Sequence, residues 1–147
     1  MNPDLTKRPP RSPRCKLGGY VLLPRLLDKG RAALAGTLGD YKYGCPLDQH
    51  FLRFIGIDAE ALKQQLATGK GDWEILTWIQ ENASLKRQPW EIRSWSDYHS
   101  NRGPDSDAET LGYFTQAVQQ LSPVREDLQT WMDLLDVDDF VSYGGKA

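Results

Sequence analysis

The sequence predicts an all-α fold of about seven short helices, and three observations lead there. Proline, aspartate and glycine recur at the spacing of helix starts and stops. The apolar residues between them repeat every three or four positions. Only one stretch, 36–44, reads as a small hairpin, with Gly39-Asp40 between Thr37-Leu38 and Tyr41-Lys42-Tyr43. At 147 residues the chain suffices for one domain with a real core, expected over 17–147. Its 39% hydrophobic and 26% charged residues exclude a disordered composition.

Residues 1–16 combine four prolines with five basic residues, which predicts an extended basic arm of polyproline II character. A helix over 24–35 follows, with Pro24 at its first position and Gly36 just past its end. On its wheel Leu23, Leu27, Gly30 and Leu34 form a stripe, with Leu26 beside it. Arg25, Asp28 and Arg31 climb one flank at three-residue spacing, which places Asp28 to bridge both arginines. Arg31 lies next to the stripe and needs an acceptor, whether Asp28, another carboxylate, a carbonyl or a bound anion.

Pro46 opens a second helix that stops at Gly56, with Asp48 in its first turn. Asp58 caps a third, with Ile57 and Leu62 as a staple and Gly69 as the stop. Asp72 is the expected cap of a fourth, carrying Trp73, Leu76 and Ile79 with Ile75 and Trp78 adjacent. Pro89 starts a fifth and Gly103-Pro104 ends it. Ser106 and Glu109 form a capping box for a sixth, with Leu111, Phe114, Val118 and Leu121 on its stripe. Ser122-Pro123 starts a seventh, through Val124, Leu128, Trp131 and Leu135, and the end beyond it reads as irregular, pinned by Phe140 and Tyr143. Trp73, Trp78, Trp95 and Trp131 are expected inside.

Net charge is −2, yet residues 1–53 carry ten Lys or Arg against four acids, and residues 105–147 carry two against nine. The acids sit on helical patterns, so the two ends are expected to neutralise each other, with the arm folded back onto acidic groups. A nucleic-acid role through the arm is the weaker reading, because neither a binding fold nor a basic net charge accompanies it. No apolar run reaches 18 residues, nothing resembles a signal peptide, and Cys15 and Cys45 are too few for a disulfide scaffold. These features predict a cytoplasmic protein with free thiols and no membrane segment.

Candidate chemistry is sparse. Cys45, Asp48 and His50 fall within six residues, and a thiol at a helix N-terminus with His50 or His99 as base would make a nucleophile. A buried, inert cysteine is the simpler reading. The chain offers only two Cys and two His, with Cys15 and His99 tens of residues from Cys45 and His50, which argues against a structural zinc site, and no cofactor motif is present. A calcium loop starting at Asp136 fails, since Phe140 and Val141 replace its oxygen ligand and glycine. The fifth helix interleaves Trp90, Arg93 and Trp95 as if to stack a planar ligand, although Ile92, Trp95 and His99 on one face read first as core.

The blocks Leu17-Gly18-Gly19-Tyr20, Leu23-Pro24-Arg25, Asp28-Lys29-Gly30-Arg31-Ala32, Cys45-Pro46-Leu47-Asp48, Pro89-Trp90-Glu91-Ile92, Asp133-Leu134-Leu135-Asp136 and Tyr143-Gly144-Gly145-Lys146 resemble the domain of unknown function 5069 family nearly end to end. The resemblance implies a small bacterial cytosolic protein and transfers no catalytic residue. The expected function is therefore non-enzymatic binding. A cationic cleft of Arg25, Lys29 and Arg31 with Asp28, Trp90 and Arg93 would take an anionic small molecule or an acidic partner segment. The alternative is a small enzyme using Cys45 or His99 beside Arg25 and Arg31.

Overall fold

The computed structural model describes residues 2–105 and 107–147. They hold seven helices and one two-stranded antiparallel hairpin. The contacts divide into two units, residues 1–96 and 97–147, with the division falling inside the fifth helix.

In unit 1 the hairpin pairs β1 (Lys16–Leu17) with β2 (Tyr20–Val21), so the hairpin lies at 16–21 and the stretch 36–44 is turns. Gly18 and Gly19 supply the two positive φ values (60° and 84°) that a two-residue turn demands. Leu22, φ 71°, then turns the chain into α1 (Leu23–Ala35). It is the one described non-glycine residue in the left-handed region, at a cost of about 1–3 kcal/mol. Its side chain is 2% exposed, and its amide donates to the carbonyl of Pro13.

The helix α1 ends at Gly36 as expected, and Leu23, Leu26 and Leu27 are fully buried, but Leu34 is 40% exposed in the last turn. The buried face also includes Arg25 and Lys29. Gly30 lets the segment carrying Leu66 approach, since a Cβ there would lie 2.5 Å from Leu66 Cδ1 and 3.0 Å from the Tyr43 ring. The next helices are α2 (Pro46–Ile55), α3 (Ala59–Ala67) and α4 (Asp72–Asn82). Gly56 closes α2 in the left-handed conformation, and Asp58 caps α3 by accepting from the Ala61 amide. Phe51, Leu52 and Ile55 of α2, Leu62 and Leu66 of α3 and Ile75, Leu76 and Ile79 of α4 share one core with α1.

The cap of α4 is Gly71, and Asp72 is already the first helical residue. Trp73 is 75% exposed, because the buried face of α4 is set by Ile75, Leu76 and Ile79 and Trp73 falls beside it. Trp78 and Trp95 are half-buried against the core. The helix α5 (Pro89–Asn101) brings Ile92 and Trp95 to that core, with Trp95 stacked on Phe54 at 5.2 Å. Ser96, fully buried, ties α5 to the hairpin: its Oγ accepts from the Val21 amide and donates to the Gly19 carbonyl.

The N-terminal arm, free of helix among the described residues, is packed down onto the body of unit 1. Residues 5–7 form a turn, Leu5 is 1% exposed, Pro3, Pro10 and Pro13 are buried, and the Leu5 amide donates to the Thr37 carbonyl.

Unit 2 contains α6 (Ala108–Leu121) and α7 (Trp131–Ser142), packed on each other around Phe114, Val118, Leu128 and Leu134. The cap expected from Ser106 lies outside the described residues, and Asp107 caps α6 through the Thr110 amide. The seventh helix begins at Trp131, not at Pro123, and it runs through the stretch expected to be irregular. The reason is local. Thr130 accepts from the Asp133 amide while Asp133 accepts from the Thr130 amide, a reciprocal cap that starts the helix there. Val124 is accordingly 83% exposed, and Phe140 is 58% exposed on the helix.

Candidate functional site

Two charge clusters flank α1. The inner one is closed. Lys29 Nζ, on a side chain 5% exposed, lies 2.7 Å from Asp48 Oδ2 and 3.4 Å from Cys45 Sγ. Asp48 also accepts from the Gly44 amide, so the first turn of α2 is bound to α1 by a satisfied buried pair. Cys45 is the N-cap residue of α2 without a side-chain capping bond, and its hydrogen-bond partner is this ammonium rather than a histidine base. Tyr43 closes the same region by donating to the Ala59 carbonyl, and burial pushes its phenol up. Arg25, 5% exposed, donates to the Arg11 carbonyl and lies 5.5 Å from the Tyr41 ring centre. Arg25 and Lys29 both belong to the buried face of α1.

The outer cluster is open. Its hub was not legible as a site: Arg11, from the arm, donates from its amide, Nε and Nη2 to Asp28 and from Nη1 to Asp72 Oδ2 at 2.7 Å. Asp28 is therefore taken by Arg11 and does not bridge Arg25 to Arg31. Arg31 turns instead to the start of α4, with Nη1 2.7 Å from Asp72 Oδ1 and Nη2 3.2 Å from the Lys70 carbonyl. Burial pushes the Asp72 carboxyl up, but the guanidinium groups of Arg11 and Arg31 together outweigh it and hold it below its ordinary value. Arg11 is raised: burial acts against it, and the bonds to Asp72 and Asp28 prevail.

The feature that distinguishes Arg31 is what it leaves unspent. Its side chain is only 13% exposed, yet the protein takes two of its five N–H groups. No buried side-chain nitrogen or oxygen lacks a partner among the described residues, so the unbonded Nε–H is reached by solvent. The openings are two clefts that Arg31 lines in common. One, about 310 Å³, is bounded by Pro3, Arg8, Pro9, Arg11 and Asp28. The other, about 230 Å³, is bounded by Asn2, Leu66, Gly69, Lys70, Gly71 and Asp72. Arg8 is exposed, and its guanidinium has no partner among the described residues.

Of the residues singled out from sequence, the structure thus brings Asp28 and Arg31 together at a cleft and sends Arg25 and Lys29 inward. Trp90, 69% exposed, and Arg93, also exposed, stand on α5 and line neither cleft. His99 is 7% exposed and packs edge-on to Tyr98 in unit 2. Arg8, Arg11 and Asp72 join the site unannounced; the one sequence signal for them was the charge asymmetry that predicted a folded-back arm. No group of three or more His, Cys, Asp or Glu that could hold a metal occurs among the described residues. None of their helices is long and apolar enough to cross a membrane.

Fold and site together define an all-helical protein with an arginine-lined cleft closed on one side by its own N-terminal segment. A family model described as Domain of unknown function (DUF5069) matches residues 7–141, and the chain belongs to that family. No curated protein matches the chain.

Proposed function

We propose that the chain is a non-enzymatic binding protein that holds a small anion in the clefts at Arg31. The observation that carries this reading is the largely buried Arg31 guanidinium with three N–H groups left over, beside Arg8, whose guanidinium has no partner among the described residues. These donors face solvent in the clefts, and an oxyanion there would replace water with charge-assisted bonds to a guanidinium already held in place. The larger cleft, about 310 Å³, falls at the small end of ligand sites, roughly 300–1,000 Å³, and the other, about 230 Å³, just below it, which favours a metabolite over an acidic protein segment. An enzyme built on Cys45 draws less support, since the thiol faces an ammonium already held by Asp48. A nucleic-acid arm draws less as well, because Arg11 is committed to two aspartates. A bacterial, cytoplasmic setting belongs to the same proposal, in keeping with the two free cysteines.

The test is thermal unfolding of the full chain with phosphate, sulfate, citrate and acetate. A ligand at 100 times its Kd adds about 2.7 kcal/mol of stability. The shift is expected in the native chain and lost in Arg31→Lys, which keeps the charge but loses the planar fork. Equal shifts in both proteins, or none in either, would reject the reading.

A further inference from the structure

Resting on that reading, we infer that the ligand is a small hydroxylated phosphate monoester bound as its dianion. Charge is the first argument. Around the two clefts stand Arg8, Arg11, Arg31 and Lys70 against Asp28 and Asp72, an excess of two positive charges. A carboxylate would neutralise one of them. A phosphate monoester above its second pKa, near 6, carries up to two negative charges and presents three acceptor oxygens.

Donor geometry agrees. Arg11 spends its Nε and Nη2 donors and one Nη1 donor on Asp28, Asp72 and the Pro24 carbonyl, so it shapes the cleft and keeps one N–H at most for a ligand. Arg31, Arg8 and Lys70 have donors left: Arg31 is held by Asp72, Arg8 is exposed, and Lys70 spends one of its three N–H groups on Gln65. A guanidinium held by a carboxylate beside an exposed one suits a tetrahedral oxyanion, whose oxygens point to different sides.

Asp28 supplies the second half of the specificity. Its Oδ2 accepts from both the amide and the Nε of Arg11, whereas its Oδ1 accepts one bond from Nη2. A carboxylate offers about four acceptor positions, so Oδ1 retains one, and a hydroxyl on the ligand can donate to it. Pro3 and Pro9 bound the same cleft with apolar rings that suit carbon-bound hydrogens. A volume of about 310 Å³ holds roughly ten water-sized groups at about 30 Å³ each, which suits a three-carbon polyol phosphate.

The described residues lining the clefts are guanidinium, ammonium, carboxylate, amide and apolar groups with no histidine. None of their ordinary pKa values falls between 5 and 8, so affinity should follow the ligand's own ionisation there. Calorimetric titration of the full chain with glycerol 3-phosphate, propyl phosphate, glycerate and sulfate, at pH 5 and pH 8, tests this. Glycerol 3-phosphate is expected to bind at one site, at least about tenfold tighter than glycerate at pH 8, a step of about 1.4 kcal/mol. Its advantage should shrink at pH 5 while sulfate stays flat, and propyl phosphate should bind more weakly for want of the hydroxyl. Arg8→Gln, at an exposed position, should weaken glycerol 3-phosphate several-fold without altering the fold.

Equal affinity for glycerate and glycerol 3-phosphate, or no change between pH 5 and 8, overturns the phosphate assignment and leaves the anion cleft standing. Propyl phosphate binding as well as glycerol 3-phosphate overturns the hydroxyl contact with Asp28. Binding only to phosphatidic-acid vesicles, without response to glycerol 3-phosphate, overturns the small-metabolite assignment in favour of a lipid headgroup. No binding of any anion overturns the cleft reading itself.

Discussion

Asp72→Asn is the substitution that interrogates the outer cluster most fully. The carboxylate joins two guanidinium groups at 2.7 Å each, with side chains 39% (Arg11) and 13% (Arg31) exposed and Asp72 itself at 31%. Hydrogen bonds to charged groups contribute about 1.5–3 kcal/mol each. Partial exposure and salt screening reduce that, and asparagine keeps one neutral acceptor. Arg11 also retains Asp28, so the main loss is at Arg31. The expected cost is about 2 kcal/mol at pH 7, roughly 4–8 °C in Tm for a chain of this size. The pH dependence follows from linkage. Because the folded Asp72 carboxyl lies below its ordinary 3.8, its stabilisation is complete above that value and is lost as pH falls through the folded one. Urea denaturation followed by far-ultraviolet circular dichroism should therefore show a constant gap between the native chain and Asp72→Asn above pH 5, closing below pH 3.8. A gap as wide at pH 2.5 as at pH 7, or no gap at pH 7, would refute the reasoning.

Further outcomes concern the inner cluster and the packing. Lys29→Met should cost about 3–5 kcal/mol by stranding the Asp48 charge, whose side chain is 3% exposed. Lys29→Met with Asp48→Asn should cost less, since asparagine is neutral and still accepts from Gly44, and a double variant at least as unstable as the single one would contradict this. Gly30→Ala should lower stability by about 1–3 kcal/mol, because the new methyl must displace Leu66 and Tyr43; an unchanged urea midpoint would argue against that contact. Deleting residues 1–16 should lower Tm, more at low salt than at high, as it removes Leu5 from the core and Arg11 from its aspartates; the same Tm at every salt concentration would contradict the folded-back arm.

The helix framework was readable because its signals are local. Pro46, Gly56, Asp58 and Pro89 each act within one turn of their own position, and each stands where the spacing puts it. The same kind of signal went astray where two local choices compete. Gly18-Gly19 makes the hairpin, and Gly39-Asp40, a weaker turn pair, does not. Thr130 with Asp133 starts α7, and Ser122-Pro123 does not start a helix. Asp72 lies one residue inside the cap because Gly71 takes that role and the carboxylate has partners 61 and 41 residues away. The charged flank of α1 was visible, but its partners were not. Wheel geometry puts Asp28 near Arg31, and only the folded arm reveals that Arg11 takes it first. Lys29 sits inside because Asp48, from another helix, makes burial tolerable. No periodicity within α1 encodes that pairing.

The central claim is that Arg31 holds donors the protein does not use, and the most direct measurement watches those donors. In nitrogen-15 spectra of the arginine side chains, the Arg31 Nε–H signal, assigned by its loss in Arg31→Lys, should shift saturably as glycerol 3-phosphate is added. The Arg11 Nε–H, already bonded to Asp28, should shift far less. An Arg31 signal that stays still at saturating ligand, or arginine signals that all drift together in proportion to ionic strength, would contradict the account.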